Sequence, residues 1–283
     1  MTTRLSPQRL VENIEGLPTL PTIVARINQL VQDPNTSAAD INEVLSNDLA
    51  LSSRLLKLAN SSYYGFPSKI SSVTHAVVLL GYNTVRNVAL SAFVIDALEA
   101  RDLPFGYRPF WAHSVATAAA ASTLLRPRSR QLADDGFICG LLHDIGKVVL
   151  HQFARPQFAE VLGLVRRRDC LIAEAEREVL GFTHAEVGGA LLSEWHLPPF
   201  LYSAVADHHL LEGEGKVLML SAAVHAADVF ARALMLGNGG DHRLPALSPR
   251  AAQLLGITPE NVAEKLKEAA EETRRAEGFL ELL

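Results

Sequence analysis

The chain has 283 residues, of which 48% are hydrophobic and 20% are charged. This composition predicts a globular protein with a full hydrophobic core, and it excludes a disordered or collagen-like chain. The net charge of −5 argues against a general nucleic-acid coat, which needs a basic surface to displace counterions from phosphate.

The first residues, MTTRLSPQRLVENIEG, carry charges throughout and lack the apolar core of a secretory signal. Only two cysteines are present, without a CxxC pair, so the sequence indicates neither a disulfide framework nor a thiolate zinc site. The longest weakly polar stretch, residues 115–125, is too short to span a bilayer. We therefore expect a cytoplasmic protein with no membrane role.

Apolar residues recur at helical spacing along most of the chain, whereas alternating strand patterns bounded by turn signals are scarce. The sequence therefore predicts an all-α fold. In the first half the spacing runs through Ile41, Val44 and Leu45 and then through Leu51, Leu55 and Leu58.

Helix boundary signals support the same fold class. Serines before Val73 and the glycine Gly81 after Leu80 predict one helix between them. Thr258 followed by Pro259 has the order of an N-cap and a first helical residue, so we expect the last helix to open there.

A domain boundary is expected in RDLPFGYRPF, residues 101–110, where two prolines and a glycine interrupt the helical period. This boundary predicts an N-terminal helical subdomain over residues 1–100 and a second domain over residues 101–283. The first hundred residues hold one histidine, His75, and the remainder hold nine. Any chemistry is therefore expected in the second domain.

The segment GLLHDIGKVVL, residues 140–150, places His143 and Asp144 inside an apolar run. A buried carboxylate without a partner costs several kcal/mol or more, so these two side chains need partners. Neighbours on a helix point about 100° apart, so both can reach one metal ion only near a helix end or where the chain curves. Gly146 allows close approach of another backbone, and Lys147 follows it beside the pair.

Further metal-ligand residue types occur in helical context at intervals of 20 to 41 residues. Such spacing is typical of a bundle in which separate helices each donate one inward-pointing ligand. These residues are His113, His184, the doublet His208 and His209, and Asp228.

The order of these residues, with LLHDIGK around the pair and ADVF around the last aspartate, resembles the HD superfamily of metal-dependent phosphohydrolases and, in the same motifs, the HD-GYP phosphodiesterases. The segments LPTLPTIVARINQLV, LSNDLALSSRLLKLANSSYYG, ISSVTHAVVLLGYNTVRNVAL and LLSEWHLPP are similar to the HDOD family over about residues 16–212. The resemblance implies an HD-type helical bundle, preceded by a helical subdomain, in a bacterial signalling or output protein. No GYP motif follows the HH doublet, so cyclic dinucleotide hydrolysis is not implied.

The resemblance also implies roles for the individual residues. His113, His143, Asp144 and Asp228 would form a first metal site, and His184 and His208 would add a second metal with Asp144 bridging the two. His209 is either a further ligand or an outer hydrogen-bond donor, and Lys147 either holds a phosphate oxygen or is an ordinary solvated lysine. The ligand set suits iron, manganese, zinc or cobalt, and the HD-GYP likeness favours iron.

Three functions remain open from the sequence. The first is a one- or two-metal phosphohydrolase or phosphodiesterase with Asp144 and Lys147 in catalysis. The second is a non-catalytic signalling scaffold that binds a kinase, a response regulator or a nucleotide second messenger. The third is DNA binding through the helices on either side of Gly81, which the charge balance opposes, because Arg86 is the only cation in the second of them. We expect no nucleic-acid partner.

Overall fold

The structure, a computed structural model, describes residues 6–33, 35–98 and 101–282 of the chain. Within these ranges the backbone forms α-helices and one 3₁₀ helix and no β-strand, so the predicted all-α fold is confirmed. The α-helices are α1 Pro7–Glu12, α2 Thr22–Gln32, α3 Ala38–Ser46, α4 Leu49–Ala59, α5 Val73–Leu80, α6 Tyr82–Ala97, α7 Tyr107–Leu125, α8 Arg130–Leu142, α9 Ile145–Phe153, α10 Arg155–Arg168, α11 Ile172–Val179, α12 His184–Glu194, α13 Pro199–Asp207, α14 Gly215–Ala233, α15 Pro249–Leu255 and α16 Val262–Arg275, followed by the 3₁₀ helix Ala276–Leu282.

The predicted helix ends agree with the structure at α5 and differ at α16. The Ser72 hydroxyl accepts the His75 N–H at 3.2 Å at the start of α5, and Gly81 follows that helix with a φ of +84°. The prediction that Thr258 and Pro259 open the last helix is wrong, because α16 begins at Val262. The Asn261 side chain accepts the Thr258 N–H at 2.9 Å, and this hydrogen bond closes a turn before the helix.

The segment predicted to interrupt the helical pattern ends sooner than expected. Helix α7 begins at Tyr107, inside residues 101–110, directly after Gly106 with its φ of +87°. Pro109 lies in the first turn of α7, where a missing N–H removes no helical hydrogen bond.

Contacts divide the chain into two compact units that are not consecutive stretches of sequence. The larger unit comprises Met1–Leu17 and Ala100–Thr273, and the smaller unit comprises Pro18–Glu99 and Arg274–Leu283. Thus α1 packs against α12 within the larger unit, and the final 3₁₀ helix packs against α4 within the smaller one.

Close helix packing in the larger unit depends on small residues. A Cβ on Gly140 of α8 would lie 2.8 Å from the Ala118 Cα of the alanine-rich helix α7. A Cβ on Gly146 of α9 would lie only 1.9 Å from the carbonyl oxygen of His184, the first residue of α12. Real Cβ atoms do not approach so closely, so α7 and α8, and likewise α9 and α12, pack at this distance only with glycine present.

The smaller unit buries the residues whose spacing predicted its helices, among them Ile41, Leu45 and Leu58, each at 0% exposure. Arg86 in α6 is also buried, at 4% exposure, and donates to the Asn87 Oδ1. The one cation of α6 is therefore withdrawn from any nucleic-acid surface, which weakens the DNA-binding hypothesis further.

No single helix in the part of the chain that the structure describes is long and apolar enough to cross a membrane. Helices α5 and α6 together have the length and apolar composition of a membrane span, but the two helices are bent by 115° relative to each other.

Candidate metal centre

The predicted ligand residues come together in the larger unit from five segments of chain. His113 lies in α7 and Asp228 in α14, while the other ligands lie at helix ends. All are buried except the half-buried His209. The set that meets in space is His113, His143, Asp144, His184, His208, His209 and Asp228, with Lys147 beside it.

The HD pair occupies the junction between two helices. Helix α8 ends at Leu142, His143 is its C-cap, and Asp144 is the N-cap of α9. Adjacent side chains can converge here because the chain leaves one helical axis and enters another, which is the first of the two alternatives that the sequence left open. Their closest ligand atoms, His143 Nε2 and Asp144 Oδ2, are 3.4 Å apart.

Two histidines at helix ends make the same hydrogen bond to a carbonyl three residues earlier in the chain. His143 donates its Nδ1 hydrogen to the Gly140 carbonyl at 2.7 Å, and His208 donates to the Val205 carbonyl at 2.7 Å. A carbonyl can only accept, so both Nδ1 atoms carry the hydrogen and both Nε2 atoms present a lone pair in the neutral ring. The last turns of α8 and α13 thereby fix the tautomers and satisfy carbonyls that their helices leave unpaired.

Glu176 of α11 binds His184 on the side of the ring that faces away from Asp144. Its Oε2 accepts both the backbone N–H of His184 at 2.8 Å and the ring Nδ1 at 2.6 Å. The other side of the ring, Nε2, lies 3.1 Å from Asp144 Oδ1 and 3.1 Å from His209 Nε2. A carboxylate behind a histidine ring is a frequent outer partner at metal sites.

Asp144 lies at the middle of the cluster, and its two oxygens face different sides. Oδ2 lies 3.7 Å from His113 Nε2 and 3.4 Å from His143 Nε2, and it accepts a hydrogen bond from Lys147 at 2.6 Å. Oδ1 faces His184. The Asp144 carboxylate therefore links the two groups of histidines.

Asp228 approaches the cluster from α14. Its Oδ1 lies 3.0 Å from His113 Nε2 and accepts a hydrogen bond from Arg232 Nε at 2.8 Å. Arg232 also donates to Asp241 at 2.7 Å, so its guanidinium bridges two carboxylates.

Three overlapping groups of side chains could hold a metal ion, each with ligand atoms within 4.8 Å of one another. Histidine and carboxylate ligands without thiolate suit several divalent first-row metals. The groups are His113 with His143 and Asp228, His143 with Asp144 and His208, and His184 with His208 and His209.

Lys147 is fully buried, so the expectation of an ordinary solvated lysine is wrong. Its ammonium donates to Asp144 Oδ2 and, at 2.7 Å, to the carbonyl oxygen of Gly239. These two acceptors compensate for the loss of water around the charge. The ammonium is held at the edge of the cluster, next to its central carboxylate.

The electrostatics separate the cluster into charged and neutral groups. Burial opposes ionisation of Asp144, but His143 and Lys147 outweigh it and hold the pKa of that carboxyl well below its usual range. Burial also opposes ionisation of Asp228, yet the Arg232 guanidinium keeps its pKa well below the usual range. Both aspartates are therefore anionic near neutral pH.

The histidines titrate in opposite directions. Burial lowers the pKa of His208 well below the ordinary histidine range, and it also lowers the pKa of His113 despite the attraction of Asp228. Burial acts in the same way on His184, but the Glu176 charge overcomes it and raises the pKa of that ring. These shifts favour the neutral ring at His113 and His208. They favour the protonated ring at His184, which lies between the carboxylates of Glu176 and Asp144.

Several residues that shape the cluster were not predicted from the sequence: Glu176, Arg232, Gly239 and Asp241. A signal for Arg232 was available, because it follows Asp228 at the (i, i+4) spacing of a helical ion pair. The remaining three reach the cluster only through the tertiary fold, and no local pattern marks them.

A family model described as the HDOD domain matches residues 17–211 of the chain. Among curated proteins, an uncharacterized protein of Treponema pallidum (strain Nichols) is 28% identical over 211 residues, which cover 74% of this chain and 40% of that protein. The chain thus spans about two fifths of the length of the curated relative that it matches.

Solved structures share the fold over nearly the whole chain. An HDOD domain protein of unknown function from Geobacter sulfurreducens is 26% identical with a TM-score of 0.79, covering 96% of each chain. A protein from Shewanella amazonensis SB2B, provisionally named a phosphohydrolase, is 23% identical with a TM-score of 0.73, covering 94% of this chain and 97% of that one. A provisionally named signal transduction protein from Marinobacter aquaeolei VT8 is 22% identical with a TM-score of 0.75, covering 97% of this chain and 64% of that one. The last two show a shared fold alone.

Proposed function

The chain belongs to the HDOD domain family, a signalling-type family, and from this premise we propose that its larger unit binds one or two divalent metal ions and hydrolyses a phosphoester. The proposal assigns the ions to the histidine and aspartate cluster. It assigns catalysis to the side chains that adjoin the cluster, Asp144 and Lys147.

The observation that carries the proposal is a set of buried ring nitrogens without hydrogen-bond partners. Among the described residues, the Nε2 atoms of His113, His143 and His208 are buried and have no such partner, although His113 Nε2 lies 3.0 Å from Asp228 Oδ1 without the alignment of a hydrogen bond. An unsatisfied buried polar atom costs about 1–3 kcal/mol, and three in one place need an explanation. A cation between them supplies it, because two of these nitrogens already present lone pairs to the cluster.

The orientation of Asp144 favours two ions over one. Oδ2 lies on the side of His113 and His143, and Oδ1 lies on the side of His184, so the Asp144 carboxylate would help to hold an ion on each side. A carboxylate oxygen has two lone pairs, so the hydrogen bond from Lys147 leaves Oδ2 able to coordinate. We propose His113, His143, Asp144 and Asp228 for one ion and Asp144, His184 and His208 for the other, with His209 as a further ligand.

Bound divalent ions would supply Lewis-acid stabilisation of charge on a phosphoryl group. This chain's own residues would do the rest. Glu176 and the carbonyls of Gly140 and Val205 orient three imidazoles, and Arg232 holds Asp228 in place. Lys147 carries three N–H donors, two of which are used here, so its third donor is the group that would bind a phosphate oxygen. Iron is the ion that we propose first, with manganese, zinc or cobalt as alternatives.

The test is elemental analysis of the purified chain followed by turnover of a panel of phosphomonoesters, phosphodiesters and nucleotides. We expect one or two equivalents of metal in the wild type, loss of metal in His208→Ala, and loss of turnover in Asp144→Ala. His75→Ala is the matched control, because His75 is exposed and lies in the smaller unit. Metal-free protein that is inert towards every substrate would refute the proposal.

A second candidate is a non-catalytic signalling module in which the metal is structural. The observation that favours it is burial, because Asp144 is 1% exposed and Lys147 and His208 are 0% exposed, which leaves a substrate no open approach. In this case metal would be bound without any turnover, and Asp144→Ala would leave signalling intact. The partner, a kinase, a response regulator or a nucleotide messenger, would then be sought by pull-down with the wild-type chain.

A further inference from the structure

A glycine-rich segment lies directly against the cluster. Residues 237–241, with the sequence GNGGD, follow α14 and are called the glycine loop below. The Gly239 carbonyl accepts the hydrogen bond from Lys147, and a Cβ on Gly239 would lie 3.2 Å from His113 Nε2 and 3.3 Å from the Arg232 guanidinium. The loop backbone therefore covers the cluster on the side of His113 and Lys147.

The loop can lie this close to the cluster because three of its five residues are glycines, which have no side chain. Gly237 has a φ of +76°, and a Cβ there would lie 2.2 Å from the backbone nitrogen of His113. The neighbouring Asn238 N–H donates to the Pro109 carbonyl at 2.9 Å, and Gly240 has a φ of +106°. The backbone of the loop is therefore packed directly against α7 beside His113.

One side chain fastens the loop. Asp241 is 7% exposed; its Oδ1 accepts from Arg232 Nη1 at 2.7 Å, and its Oδ2 accepts from the Ile172 N–H at 3.0 Å. Arg232 also donates to Asp228, so the same guanidinium holds the loop and one of the candidate ligands. A buried charged pair of this kind is costly to break from one side only.

The opposite face of the loop borders empty space. A cavity of about 360 Å³ lies there. Its lining combines Asn238, Gly240 and Asp241 of the loop with apolar side chains such as Phe105 and Leu162 and with the polar residues Arg166, Asp169 and His242. The loop therefore borders the cluster through Gly239 and this cavity through its neighbours.

We propose that the glycine loop is the gate of the candidate metal centre and that the Arg232–Asp241 ion pair is its latch. The structure holds the gate closed. Opening moves the loop towards the cavity, removes the Gly239 carbonyl from Lys147 and exposes His113. The inference rests on the proposed function, because only a site that a ligand must enter needs a gate. It explains how a substrate could reach a cluster that is buried in this structure.

The test measures access to Lys147 by an amine-reactive reagent, with mass spectrometry of the modified full-length chain and the exposed Lys267 as internal reference. Asp241→Asn keeps the size of the side chain but removes the charge that pairs with Arg232. We expect Lys147 to be modified on the order of ten-fold faster in this variant, as breaking one charge-assisted hydrogen bond would allow. Asp169→Asn is the matched control, because it removes an exposed ion pair with Arg243 beside the same cavity.

A second variant would displace the loop by steric contact on the side that faces the cluster. Gly239→Ala places a Cβ against His113 and Arg232, and we expect it to raise the Lys147 modification rate as well. Gly163→Ala is its control, because there the new Cβ approaches only the end of the Arg167 side chain, also at 3.2 Å. Equal rates in the wild type, Asp241→Asn and Gly239→Ala would overturn the gate.

The proposed gate and the proposed metal centre can be refuted independently of each other. Modification of Lys147 requires no bound metal, so a metal-free protein would refute the proposed centre while the labelling rates still decide the gate. Where the chain does hold metal, Asp241→Asn is also expected to release it to excess chelator faster than Asp169→Asn, and equal release rates would count against the gate.

Discussion

At the scale of single residues, the cluster depends on groups that do not themselves point into it. His143, His184 and His208 each have one ring nitrogen bound by a carbonyl or carboxylate, so the other nitrogen faces inward. Two of these partners are backbone carbonyls, which substitution does not remove. Glu176 is the one that a side-chain substitution can remove, and its carboxylate also supplies the charge that raises the pKa of His184.

Replacing Glu176 tests this arrangement. Glu176→Gln is expected to weaken metal binding by about 10- to 100-fold at pH 8, as the loss of an outer partner typically does. In the wild type, affinity should rise with pH above about 6.5, because the raised pKa of His184 makes a proton compete with the metal. The variant lowers that pKa, so its affinity should reach a plateau at lower pH.

The measurement for Glu176→Gln is a competition titration with a chromogenic chelator from about pH 6 to pH 8, the range over which histidine commonly titrates. Glu178→Gln is the matched control, since Glu178 lies on the same helix but is exposed and pairs with Arg168. A parallel pH profile for wild type and Glu176→Gln would show that Glu176 does not act through His184.

At the scale of helices, the sequence predicted what local pattern can encode. The all-α fold and the helix α5 followed from periodicity and capping, and the geometry of adjacent side chains predicted either a helix end or a curved chain at His143. The start of α16 was predicted wrongly, because the backbone N–H of Thr258 donates to the Asn261 side chain and closes a turn that a cap-and-proline pattern does not reveal. Glu176 and Gly239 could not be predicted, because they reach the cluster from distant segments and their contacts leave no pattern in the local sequence.

Gly146 is the position where helix packing and the cluster meet. Gly146→Ala would place a Cβ 1.9 Å from the His184 carbonyl oxygen and 2.8 Å from the Gly188 nitrogen, both of which are backbone atoms that cannot rotate away. We expect a loss of unfolding free energy of roughly 3 kcal/mol, at the upper end of overpacking effects, together with weaker metal binding because α12 carries His184.

Chemical denaturation of the full chain checks this prediction, with metal content measured on the same samples. Gly163→Ala on α10 is the control, and it should leave unfolding free energy unchanged or slightly higher because alanine favours a helix more than glycine does. Equal stability of Gly146→Ala and the wild type would mean that α9 and α12 pack less closely than the structure has them.

At the scale of the whole molecule, the candidate ligands are spread over residues 113–228 and meet only in the folded larger unit. The unfolded chain has no such arrangement, so metal binding and folding of this unit are thermodynamically linked. The two anionic aspartates are balanced in this structure by Lys147 and Arg232, each within hydrogen-bond distance of one of them. Because these two cations already neutralise the aspartates, we expect the larger unit to fold without metal, and a bound ion would add stability to that fold.

The linkage predicts a metal-dependent melting temperature. At a free metal concentration of about one hundred times Kd, binding stabilises the folded state by about 2.7 kcal/mol, which corresponds to roughly 5–10 °C for a unit of this size. Scanning calorimetry with and without chelator should show this shift in the wild type and in His75→Ala, and no shift in His208→Ala. Hydrogen exchange should assign the added protection to α7, α9, α12 and α14, with peptides from α3 and α5 as the internal reference. If metal binds stoichiometrically but protection rises elsewhere, or the melting temperature does not move, the ion lies outside the cluster, and the buried Nε2 atoms of His113, His143 and His208 need another partner.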